Sequence, residues 1–93
     1  MHPLEREFFK DCLLAFRCHV SVRDIFNVYC DRGYPPKRLG YYVEKWVNKG
    51  FYEYGVNLLA GWFWEGRLTG EYLKLKNELD ADIKVWKGGM RTE

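Results

Sequence analysis

Apolar residues recur at three- and four-residue steps along this chain, except over residues 51–64, where aromatic residues crowd into two short runs. That change of period constrains the fold more than any other feature. It predicts helices on either side and one β-hairpin between them. The helical stripes are Leu4, Phe8, Cys12, Ala15 and Phe16, widened by Phe9 and Leu13; then Val22, Ile25, Phe26 and Tyr29; then Leu39, Tyr42, Val43, Trp46 and Val47; and finally Tyr72, Leu75, Leu79, Ile83 and Trp86, with Lys76 as the one break. The exception, Phe51-Tyr52-Glu53-Tyr54 and Trp62-Phe63-Trp64, has the aromatic content of strands. Gly55 to Gly61 lies between them as the hairpin tip. Trp62, Trp64 and Leu68 share one parity, which predicts that they face one side of the sheet.

Punctuation divides the pieces. Glu5, Arg6, Lys10, Asp11 and Arg17 fall mostly on the far side of the first stripe, and Cys18-His19-Val20 breaks it as a short extended segment. Ser21 is a good N-cap with Asp24 three residues on. Gly33 suits a left-handed helix end, Pro35-Pro36 suits a first turn, and Gly50 closes the third helix. Thr69 opens the last helix, which runs almost to Gly88-Gly89. The chain of 93 residues is sized for one core. The expectation is α+β, mainly α: a single domain over residues 1–87 and a flexible C-terminal tail over 88–93.

Several classes are set aside. No apolar run approaches the roughly 20 residues of a membrane span. Glu5 and Glu7 stand where a signal peptide would be apolar, so the expected location is cytoplasmic. Cys12, Cys18 and Cys30 form no C-x2-C knuckle, which predicts reduced thiols and neither metal nor cofactor. His2 and His19 stand at no recognisable spacing from a nucleophile, and Asp80 and Asp82 lie in a mixed-charge helix. Gly61, Gly66 and Gly70 do not follow a phosphate-cradling pattern. The chain does not read as an enzyme.

The order helix, short strand, helix, helix, hairpin, helix resembles the winged-helix superfamily, a helix-turn-helix with an added hairpin. Lys49-Gly50-Phe51-Tyr52-Glu53 looks like that family's join between third helix and hairpin: Lys-Gly, then Leu, Phe or Tyr, then Ile, Val or Tyr, then Glu or Lys. Trp64, followed by Leu68-Thr69 and Tyr72-Leu73, resembles its second wing strand running into the last helix. The likeness covers roughly residues 5 to 80 and is nearest to small single-domain regulators of the MarR and PadR type and of phages. Two positions depart from it. Gly70 follows Thr69 directly, where the family often has glycine three residues after that threonine. The wing tip, Val56-Asn57-Leu58-Leu59-Ala60, carries no charge.

The resemblance implies a small homodimeric transcription regulator that binds double-stranded DNA with its third helix. Charge agrees with that placement. Residues 21–50 hold Arg23, Arg32, Lys37, Arg38, Lys45 and Lys49 against Asp24, Asp31 and Glu44, a balance of +3 in a chain of +2 overall. Lys37, Arg38 and Tyr41 stand where base edges are read, and Lys45, Asn48 and Lys49 where phosphates are held. Lys37 and Arg38 sit at a helix N-terminus, where cations oppose the dipole. A plain solvated helix face would carry the same residue types. The wing offers a rival function: Leu58, Leu59 and Trp62 could hold a protein partner, making the chain an interaction adaptor that does not bind DNA. They could instead fold back, or Trp62 could stack on unpaired bases. Leu79, Ile83 and Trp86 are the expected dimer contacts, with packing of Ile83 and Trp86 onto Leu4 and Phe8 as the alternative.

Overall fold

A computed structural model describes the backbone of residues 1–91 and the side chains of residues 1–84. The protein is α+β and mainly helical. The elements are α1 (Pro3–Arg17), α2 (Val22–Asp31), α3 (Pro36–Lys49), β1 (Tyr52–Tyr54), β2 (Gly61–Phe63), a 3-10 turn (Glu65–Arg67) and α4 (Gly70–Arg91).

Local chemistry sets most boundaries. The Nδ1 of His2 accepts from the Leu4 amide at 3.0 Å and caps α1. The Ser21 hydroxyl accepts from the Asp24 amide and caps α2. Gly33 and Gly50 take φ of +93° and +90° and end α2 and α3. Cys18–Val20, expected as a short strand, is instead the C-terminal turn of α1. His19 adopts φ +59°, and the amides of His19 and Val20 return to the carbonyls of Phe16 and Ala15 at 3.1 and 2.8 Å. These two bonds satisfy carbonyls that a strand would have left open. The α4 backbone continues through Gly88 and Gly89 to Arg91, so residues 88–91 of the expected tail are helical, while 92 and 93 lie outside the described residues. Glycine weakens a helix by about 1 kcal/mol relative to alanine without forbidding it.

The core is aromatic and centres on Phe9 of α1. Its ring lies 5.3 Å from Trp46, 5.8 Å from Phe51 and Phe63, and 5.2 Å from Tyr72, mostly edge to face. α1, α3, the hairpin and α4 therefore meet on one residue. Leu4, Phe8, Cys12, Leu13, Val22, Tyr29, Leu39, Tyr42, Val43, Tyr52, Leu68, Leu75 and Leu79 complete the buried cluster.

The antiparallel hairpin pairs Tyr52 with Phe63, Glu53 with Trp62 and Tyr54 with Gly61. Tyr52 and Phe63 face the core, whereas Trp62 and Trp64 face outward at 38 % and 43 % exposure. Leu68 is nevertheless buried, so it does not share a side with the two tryptophans as expected. The 3-10 turn resets the alternation before Leu68. The tip folds back on the domain: Leu58 and Leu59 pack against the core, and the Arg23 amide donates to the Leu59 carbonyl at 3.2 Å. The Tyr52 hydroxyl donates to the Leu58 carbonyl at 2.7 Å and accepts from the Gly61 amide at 3.0 Å. Burial pushes this hydroxyl's pKa up to about 12, so it remains a donor. A Cβ at Gly61 would lie 2.3 Å from the Glu53 carbonyl oxygen, and only glycine permits this approach.

Candidate nucleic-acid interface

α3 buries Leu39, Tyr42, Val43 and Trp46 and turns its other side to solvent. Its start is exceptional. Pro35 occupies the N-cap and gives no side-chain hydrogen bond, Pro36 follows, and the first turn contains no acid. Lys37 and Arg38 project there, both exposed. The positive end of the helix dipole is thus bare of compensation and carries two added cations. One turn on, Tyr41 is 60 % exposed, as much a surface residue as its neighbour Tyr42 is a core one. Asn48 and Lys49 are exposed farther along, and so is Glu44, the one acid on this face.

The basic residues divide by use. Arg6 and Lys10 meet Glu78, Arg17 meets Glu65 and Asp80, Lys76 meets Asp80, and Arg67 meets Glu53. Lys45, expected to hold phosphate, is drawn to Glu5 of α1 at 2.9 Å. Lys37, Arg38 and Lys49 form no ion pair among the described residues, and neither do Arg23, Arg32 and Lys74. The Lys49 ammonium instead lies 5.8 Å over the Tyr72 ring, an arrangement compatible with keeping its charge at the surface.

Glu5 is the residue that sequence reasoning misplaced. Expected on the solvent side of α1, it is 1 % exposed. Its carboxylate accepts from Lys45 Nζ at 2.9 Å, Trp46 Nε1 at 3.1 Å and the Tyr72 hydroxyl at 2.5 Å. Burial alone would raise its pKa. The Tyr72, Lys45 and Trp46 hydrogen bonds outweigh burial and hold the carboxyl below its ordinary value. The signal was present in the sequence: Glu5 stands one helical turn before Phe9 and two before Leu13, on the widened edge of the α1 stripe. By tying down Lys45 and Trp46, it fixes how α3 lies on α1.

The remaining expected sites scatter. Leu58 and Leu59 are folded back, so they offer no exposed patch, while Trp62 stays outward. Leu79 packs into the core at 7 % exposure and, beside Leu14, Cys18 and Ile83, also lines an open apolar groove between α1 and α4. Ile83 is half-buried against the same core, and the Trp86 side chain lies outside the described residues. No family model, no curated protein and no solved structure matches the chain.

Proposed function

We propose that this is a winged-helix protein that binds double-stranded DNA through the first turns of α3 and acts as a small transcription regulator. One observation carries the reading. Lys37 and Arg38 are exposed and free of acidic partners among the described residues, at an acid-free helix N-terminus, while Lys45 and, on α1 and α4, Arg6, Lys10, Arg17 and Lys76 are neutralised within the fold. Such a site lowers the energy of an anion that docks on it. Tyr41 is within one turn for contact with sugar or base, and Asn48 and Lys49 extend the face along a phosphate strand. Lys45 contributes little charge because Glu5 holds it.

Three cations per protomer then face phosphate. Binding should weaken with salt along a log–log slope no steeper than about −2.7 per protomer, at roughly −0.9 for each contact. Fluorescence anisotropy with a labelled duplex pool, at two or more salt concentrations, tests this. Replacing Lys37 and Arg38 together by alanine should weaken binding by about 10- to 1000-fold and remove about two thirds of the slope. Binding indifferent to that change, or absent at low salt, would favour the rival adaptor reading, which rests on the neutral, aromatic outer face of the hairpin.

A further inference from the structure

The open groove between α1 and α4, floored by Leu14, Cys18, Leu79 and Ile83, has a volume of about 790 Å³. It is independent of whatever α3 binds. Leu14 falls outside the α1 stripe that fills the core and stays 37 % exposed. Cys18, one turn on, is exposed as well. Ile83 is the last described α4 residue that packs on the core. Past it the α4 backbone runs on as helix to Arg91, a further length of about 12 Å.

The composition of that extension points to the occupant. Residues 84–91 hold Lys84, Lys87 and Arg91 and no acid, together with Val85, Trp86 and Met90. Leu79, Ile83, Trp86 and Met90 stand at alternating four- and three-residue steps, the repeat of helices that pair with one another. The groove supplies the counterpart. Its floor is apolar. Of its two acids, Asp80 is committed to Arg17 and Lys76, but Asp82 is 74 % exposed and reaches only Lys10 among the described residues, at 4.0 Å. A continuous helix carries residues 84–91 away from the groove of its own copy, so the segment can enter only the groove of another. A two-fold axis between Ile83 and Lys84 achieves this twice over. It lays residues 84–91 of each copy antiparallel across residues 76–83 of the other, with Lys84 and Lys87 within a turn of Asp82. We infer that a second copy of this chain docks in the groove through the C-terminal turns of its α4, and that the exchange is reciprocal. The seam is short beside a standard interface of roughly 800 Å² per partner, so the association depends on concentration.

Sedimentation velocity on the full chain, from about 1 µM to about 500 µM, reads the association. Alkylation of Cys18 by iodoacetamide, mapped by mass spectrometry, reads where it occurs. The wild type should pass from monomer to dimer, and the Cys18 rate should fall by about 3-fold or more across that range as the groove is covered. Leu14→Asp charges the groove floor at a site already exposed and should stay monomeric, with a melting transition like that of the wild type. Asp82→Lys, and separately Lys84→Glu with Lys87→Glu, should each weaken the dimer by about 10-fold, because like charges then face each other. An equimolar mixture of those two variants should restore it, since every new cation meets a new anion. This charge exchange decides the matter even if Leu14→Asp fails to fold. A wild type that is monomeric throughout overturns the proposal. So does a dimer in which Cys18 reacts as fast as in the monomer, which would place the interface elsewhere, or a dimer indifferent to both charge changes. A monomer in which Nile red binds and shields Cys18 would likewise overturn it and assign the groove to a small apolar ligand.

Discussion

α1 and α3 are nearly equal in length, 15 and 14 residues, and both carry a full complement of charge, but they use it in opposite ways. On α1 every charge but that of Glu7 has a partner inside the molecule. Glu5 anchors three donors, Arg6 and Lys10 reach Glu78, Asp11 accepts from the Tyr29 hydroxyl at 2.5 Å, and Arg17 joins Glu65 to Asp80. On the first turn of α3, Lys37 and Arg38 join nothing among the described residues. A charge that fastens elements together is satisfied wherever the fold has closed. A pair left unsatisfied, in the one turn where the helix dipole disfavours it, suits a partner outside the chain. The two helices therefore separate charge that fastens the fold together from charge left free at the surface, by where the counter-charge is.

The comparison breaks most sharply at Glu5. Glu5→Ala strips Lys45, Trp46 and Tyr72 of their shared acceptor and should cost about 3–5 kcal/mol in urea unfolding. Glu5→Gln keeps an acceptor and should cost less. The pH dependence carries the sign. Because the folded carboxyl titrates below its ordinary value, the unfolded chain binds the proton more readily. The stabilisation is complete above the unfolded pKa of about 4.5 and disappears as pH falls through the folded value. Glu5→Gln should flatten that part of the stability curve; a variant curve parallel to wild type through the acid range would refute the assignment.

A smaller loss is expected at Arg17, where the side chains are partly exposed. Its guanidinium is held well above its usual range, first by the hydrogen bond to Glu65 and further by Asp80, against the opposing effect of burial. Arg17→Ala should cost about 1 kcal/mol, and part of the difference should fade when salt is raised to about 1 M. Equal unfolding midpoints for variant and wild type at low salt would show that this bridge contributes nothing.

The smallest effect has the opposite direction. Lys37→Ala with Arg38→Ala removes two cations from the positive end of α3, so stability should hold within about 0.5 kcal/mol or rise slightly at low ionic strength. If the double variant were instead destabilised by more than about 1 kcal/mol, those residues would be structural and the contrast between the helices would collapse.

Much of the architecture was legible because it is local. Ser21, Gly33 and Gly50 act on amides and carbonyls within four residues, and the apolar periods of α1, α2 and α3 need no knowledge of their neighbours. Lys37, Arg38 and Tyr41 were legible as surface residues for the same reason: they fall off the stripe. The hairpin was harder. Its strands were visible in their aromatic content, but three-residue strands show too little alternation to say which parity faces inward. The 3-10 turn at Glu65–Arg67 then cancels any register carried forward to Leu68.

What the sequence by itself determined was the set of elements, their caps and the solvent-facing start of α3, all consequences of interactions a few bonds long. The tertiary structure decided what each ambiguous side chain meets. Glu5 is internal because Tyr72, 67 residues away, brings a hydroxyl to it. Lys45 is committed to Glu5, 40 residues away, rather than left for phosphate. Leu58 and Leu59 turn inward because the Tyr52 hydroxyl and the Arg23 amide supply donors for their carbonyls. Leu79 is core because α1 covers it. Those outcomes rest on desolvation and hydrogen bonding between groups whose separation along the chain carries no trace of their nearness in space.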